Sequence, residues 1–202
     1  MNTETENTGS GKKLQGAFGD RGTNVNAGLA YGHPYGEEIV SKAREVLSES
    51  PTGIKLVALL DQKKVPLQIM KGQGESGFSP VMMSIILQTP GSTKELNADI
   101  LINLIKALRE AAQELGGQKT PDPRSDVVHY AEFIHARNLD SITFVCKIVK
   151  ELTNSSYFPV LLDSLKKLGL NNMYKAYLDG VSKEELFMEY AKAYNSFNRG
   201  SI

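Results

Sequence analysis

Few side chains in this sequence are equipped for catalysis. Three histidines (His33, His129, His135), one cysteine (Cys146) and the adjacent acids Glu184 and Glu185 are the obvious candidates for metal binding, nucleophilic attack or proton transfer. His129 and His135 are six residues apart, about 240° around a helix, so one helix cannot aim both at one ion. His135 shares a stripe with Ala131 and Leu139, where a hydrogen-bonded, partly buried imidazole is expected. His33 lies in a Gly- and Asn-rich stretch. Cys146 falls in the apolar register of a long helical segment and is expected to behave as a small hydrophobe, not a nucleophile. Glu184 and Glu185 stand in a first helical turn, where carboxylates suit the helix dipole. "KGQGESG" contains G-x-G but precedes a strand, so it reads as a hairpin turn and not as a phosphate cradle.

A different constellation sits on "ADILINLIKALREAAQEL". On a helical wheel Leu101, Leu104, Ile105, Leu108, Ala112 and Leu115 gather on one side as a core face. Lys106, Glu110 and Gln113 share the opposite side, and Lys106 and Glu110, one turn apart, can form an i,i+4 pair worth ~0.2–0.5 kcal/mol. The plainest expectation is an amphipathic helix with a solvated charged face.

The elements that position these residues can be read from periodicity and turn chemistry. Residues 1–36 are rich in Gly, Asn, Thr and Ser and cannot bury enough surface to offset chain entropy, which predicts a flexible tail; Phe18, Tyr31, His33 and Tyr35 are able to dock on the folded part. A single domain is expected over residues 37–202. "YGEEIVSKAREVLSES" has helical spacing, stopped at Pro51 and Gly53, and "TGIKLVALLDQKK" follows as a helix with Ile54, Val57 and Leu60 inward. "VPLQIM" and "VMMSIILQTP" read as a β-hairpin or two neighbouring strands, separated by turn residues. From Ser92 the chain is helical, with Ser92 and Glu95 as a capping box and Gly116-Gly117 as the stop. A long helix through "DVVHYAEFIHARNLDSITFVCKIVKEL" and two more, "FPVLLDSLKKLG" and "SKEELFMEYAKAYNSF", complete the chain; Ser182 and Glu185 make a second capping box. The fold class expected is α+β, predominantly α-helical, with one small sheet inserted before the central helix.

The chain has 202 residues and equal numbers, 23 each, of basic and acidic side chains. Zero formal charge argues against nucleic acid or an anionic membrane as the main partner. No apolar run approaches the ~20 residues needed to cross a bilayer, and no signal-peptide pattern opens the chain. One cysteine permits no intrachain disulfide, so a soluble protein of the reducing cytoplasm is expected.

Several phrases, in order, resemble a family of bacterial zincin-type metallopeptidases of uncharacterised function. They are "SESPTGIKLVALLDQKKVPLQI", "FSPVMMSIILQTP", "LINLIKALREAAQEL", "DVVHYAEFIHARNLDSITFVCKIVKEL" and "YLDGVSKEELFMEYAKAYNSF", which together cover most of the chain after about residue 37. In that family the central helix carries HExxH, in the form HELRHAxQ, with two zinc-binding histidines and a glutamate that activates water. The resemblance aligns this phrase with "KALREAAQ", in which Leu108, Arg109, Ala111 and Gln113 keep the expected types. It puts Lys106 at the first histidine position, Ala107 at the general-base position and Glu110 at the second histidine position. The third ligand, a glutamate in an "EADA"-like phrase, falls at Asn138 in "NLDS", while Asp140 keeps that phrase's acid.

Every position that would touch metal or activate water is thus changed. A lysine ammonium has no lone pair for a metal, alanine moves no proton, and one carboxylate does not make a zinc site. The resemblance therefore implies a pseudoenzyme without cofactor, a protein- or peptide-binding module in which Lys106 and Glu110 pair in place of the metal. Ser84, Ile85, Ile86, Leu87 and Gln88 ("SIILQ") resemble the strand that borders the peptidase groove, and the expected binding mode is addition of a peptide to that edge. Two other expectations stand beside it: an active zinc peptidase with ligands elsewhere, and a helical interaction or scaffold domain unrelated to peptidases.

Overall fold

The computed structural model describes residues 33–72, 76–122, 124 and 126–199, the last five without their side chains. Residues 1–32 of the tail expected over 1–36, with Phe18 and Tyr31, and the tip of the "KGQGESG" turn lie outside the described residues. Helix α3 (Ala98–Leu115) is the axis on which the rest is packed, and ten of its 18 residues are buried. It is flanked by α2 (Pro51–Lys63), α4 (Val127–Glu151), α5 (Phe158–Lys167) and a three-stranded sheet of β1 (Leu67–Lys71), β2 (Gly77–Ser79) and β3 (Ser84–Thr89). Helix α1 (Gly36–Leu47) packs on α2 and β1, and α6 (Asn171–Asp179) packs on α4, α5 and α7 (Lys183–Arg199). The fold is α+β and predominantly helical. No described helix is long and apolar enough to cross a membrane.

The one-sided wheel expected for α3 understates its burial. Leu101, Leu104, Ile105 and Leu108 are in the core, but so are Ile100, Ile102, Ala107 and Ala111. Each fully buried Leu or Ile contributes about 1.5–3 kcal/mol of burial free energy. The helix starts later than the Ser92/Glu95 box predicts: Asn97 is the N-cap, and its Oδ1 accepts from Ile100 N at 2.9 Å. Residues 92–97 form a loop instead, pinned by Thr93 N donating to Pro90 O at 3.0 Å.

Strand order corrects the expectation for "SIILQ". The sheet runs β1-β3-β2, so Ser84, Ile85, Ile86, Leu87 and Gln88 form the central strand and not an edge. Strand β3 pairs in parallel with β1, Leu67 opposite Ile85, and antiparallel with β2, Phe78 opposite Ile85. Beyond the end of β2, Ser76 Oγ accepts from Gln88 N at 2.8 Å, leaving that amide no room for an added strand. "VPLQIM" and "VMMSIILQTP" are neighbours but parallel, so the hairpin lies between "GFS" and β3, through a turn at Pro80–Met83.

Elsewhere the local chemistry is legible. Gly53, in the first turn of α2, lies so near the Leu47 carbonyl at the end of α1 that a Cβ there would clash with it. Leu56 and Leu60 turn inward from α2 together with Thr52 and Gly53, whereas Ile54 is exposed. Glu151, at the end of α4, holds the start of α2: Ser50 Oγ and Thr52 Oγ1 donate to its carboxylate, as does Thr52 N at 2.9 Å. The Ser182/Glu185 box is formed, with Ser182 N to Glu185 Oε2 at 3.1 Å and Glu185 N to Ser182 Oγ at 3.2 Å. His33 is buried, and its ring Nε2 lies 3.2 Å from Pro90 O, so the packed structure reaches back at least to that residue.

Candidate functional site

Helices α3 and α4 lie side by side, and the residues singled out on the α3 wheel or by the resemblance fall along their seam in three groups. The first is centred on Asp140, whose Oδ2 accepts from Arg109 Nε at 2.6 Å and from Gln113 Nε2 at 2.5 Å. Arg109 also stacks on the Phe144 ring, its guanidinium carbon 3.8 Å from the centroid. Gln113 is therefore buried at 6% exposure, not on a solvated face as the wheel predicts.

The second group lies toward the sheet. Glu110 Oε2 accepts from Phe78 N on β2 at 3.2 Å. One turn away, Arg137 donates to Thr120 Oγ1 at 2.6 Å, pairs with Glu114 at 3.6 Å and reaches the Glu110 carbonyl at 3.4 Å. The expected Lys106–Glu110 ion pair does not form, because the Glu110 carboxylate has turned to the strand backbone.

The third group is a pocket of about 230 Å³. Ile102, Asn103 and Lys106 of α3 form one wall and Asn138 and Ile142 of α4 the next. Leu168 and Leu170, at the corner between α5 and α6, and Tyr190, Ala193 and Tyr194 of α7 complete it. Lys106 and Asn138 thus come together across one cavity, while Glu110 is not part of its lining and Ala107 is wholly buried in the core. Burial pushes the Tyr190 phenol above its usual range, against the Asn138 side chain as hydrogen-bond partner, and the Tyr194 phenol adds to the rise. His135 lies outside the lining, exposed, with its ring edge-on to Tyr194 at 5.6 Å. That position corrects the partly buried imidazole expected from the stripe.

The α7 wall and the Leu168/Leu170 corner were not evident in the sequence. The available signal was the i,i+4 spacing of Tyr190 and Tyr194, which puts two aromatic rings with polar tips on one helix face. Cys146 is fully buried, and burial pushes its thiol up to about 12, which leaves it un-ionised and inert near neutral pH.

Zinc does not fit this donor set. Lys106 offers an ammonium and Asn138 an amide, neither a zinc donor of the usual kind, and the nearby Glu110 carboxylate is engaged by a backbone N–H. Among the described residues no three His, Cys, Asp or Glu side chains gather into a group able to hold a metal ion. No protein family, curated protein or solved structure matches this chain.

Proposed function

We propose that this chain is a catalytically silent domain related to HExxH peptidases that binds a peptide or protein segment through what remains of the groove. One observation carries the reading. Lys106 and Asn138, which the resemblance assigns to the first and third metal ligands, stand on different helices yet line the same pocket. The link between Asp140, Arg109 and Gln113 supports it further, since those three residues keep their expected types and hold α3 against α4. Ala107 supplies no base, and its place in the core leaves no water beside it to activate.

Binding at the sheet edge is not the favoured mode. The edge strand that packs on α3 is β2, and its Phe78 N–H is already taken by Glu110. The ligand enters the pocket beneath Lys106 instead. A lone thiol without a disulfide suits a reducing, cytoplasmic setting for such a module.

The test is a gain of metal by Lys106→His, Glu110→His and Asn138→Glu together, with Ala107 left alone because a carboxylate there enters the core. The folded triple variant takes up one zinc and melts higher with zinc than with a chelator. A folded triple variant without zinc affinity would overturn the peptidase ancestry.

A further inference from the structure

We propose that the pocket beneath Lys106 binds a small organic carboxylate with an apolar body. The inference rests on the reading of this face as a binding groove and names the ligand chemistry it takes. Lys106 supplies the only formal charge in the lining, which contains no acid; Glu110, one turn along α3, lies outside it with its carboxylate on Phe78 N. Its side chain makes no ion pair or hydrogen bond with any other described residue, in contrast to Arg109 and Arg137 on the same seam. A half-buried ammonium facing an apolar cup without a counterion attracts an anion more strongly than one in open water does.

The rest of the lining sets the shape of that anion. Asn103, three residues before Lys106 on α3, brings a side-chain amide to the lining, and Asn138 brings a second from α4, shared with the Tyr190 phenol. Two amide donors and an ammonium match the two oxygens of a carboxylate, which accept about four hydrogen bonds. Ile102, Ile142, Leu168 and Leu170 add hydrocarbon to the same lining, and Tyr190 and Tyr194 add aromatic surface from α7. At the roughly 30 Å³ that a water molecule occupies, the cavity of about 230 Å³ holds on the order of eight non-hydrogen atoms. A branched aliphatic acid of that size fills it. Two sources offer this chemistry: a free acid, and the C-terminal residue of a peptide with an apolar side chain.

Titration of the isotope-labelled full chain, followed by amide NMR, separates the possibilities. 4-Methylpentanoate shifts the side-chain amides of Asn103 and Asn138 saturably, with a Kd of about 1 mM or below. The neutral 4-methylpentanamide binds at least tenfold more weakly. Lys106→Met, which keeps the packed stem, weakens the acid roughly tenfold to a hundredfold, the effect of losing one charge-assisted hydrogen bond. Lys106→Arg, which keeps the charge, stays within a few-fold of the parent and controls for folding. N-Acetyl-leucine binding more tightly than 4-methylpentanoate identifies a peptide terminus as the source; the reverse order identifies a free acid.

Equal binding of acid and amide, tighter binding of isopentylamine, or no saturable shift at these two asparagines would each overturn the proposal. Zinc uptake by the triple variant without acid binding removes this inference alone. Acid binding without zinc uptake removes the peptidase ancestry and leaves the ligand in place.

Discussion

At the scale of single residues, Asp140 and Gly53 make opposite kinds of contribution. Asp140 gathers two donors from α3, and Asp140→Asn removes its charge while keeping its shape. Its side chain is 39% exposed, so the loss is about 1 kcal/mol and not the 1.5–3 kcal/mol of a sheltered charged hydrogen bond. A lower urea midpoint with an unchanged slope is the expected record. Gly53 is tight for a different reason: a Cβ there would collide with the Leu47 carbonyl. Helix propensity alone favours Gly53→Ala by ~1 kcal/mol, whereas overpacking costs about 1–3 kcal/mol. The backbone carbonyl has little freedom to move, so net destabilisation is the expected sign in the same urea experiment.

Between elements, Glu151 couples α2 to α4 in a pH-dependent way. Burial penalises its charged form, but hydrogen bonds from Ser50, the Thr52 hydroxyl and Thr52 N, with Lys147 nearby, outweigh that penalty and hold its carboxyl below the ordinary value of 4.5. A depressed folded value means that the stabilisation is full above the unfolded value and is lost as pH falls through the folded one. Glu151→Gln therefore costs about 1–2 kcal/mol at pH 7, the range of a lost helix cap. The difference from the parent narrows below pH 4.5, which urea melts at neutral and acid pH would reveal. Some element boundaries were legible from a local device, as at the Ser182/Glu185 box or Asp126, whose Oδ1 accepts from His129 N, whereas the Asn97 cap of α3 was passed over for Ser92. Strand order was not legible. Strand β2 is three residues, "GFS", among turn formers, and only non-local pairing with Ile85 and its neighbours makes it a strand. Helix α6, "NNMYKAYLD", escaped notice because nine residues without a side-chain cap give little periodic signal; its end at Gly180, with φ 70°, is the one clear mark.

Across the whole molecule, the helical class followed from periodicity because each apolar stripe is local, whereas α3 was taken as central only through the resemblance. The pocket was only half legible. Its α3 and α4 walls carry residues found through a motif-like phrase, but its α7 wall is brought there by the packing of helices distant in sequence. Spacing within α3 paired Lys106 with Glu110, yet competition from the Phe78 amide decided otherwise, and such competition has no local sequence signature.

The fully buried Cys146 has a further use. A thiol reagent reaches it only when the core opens, and the chain has no second thiol to compete. Its labelling rate, divided by that of an unhindered cysteine and corrected for ionisation, is a clock for opening of α4 under native conditions. A separate variant with Val81→Cys and Cys146→Ser, its thiol at a position 95% exposed, sets the unhindered rate. The protein thus contains its own reporter of core breathing, with no dye or isotope needed.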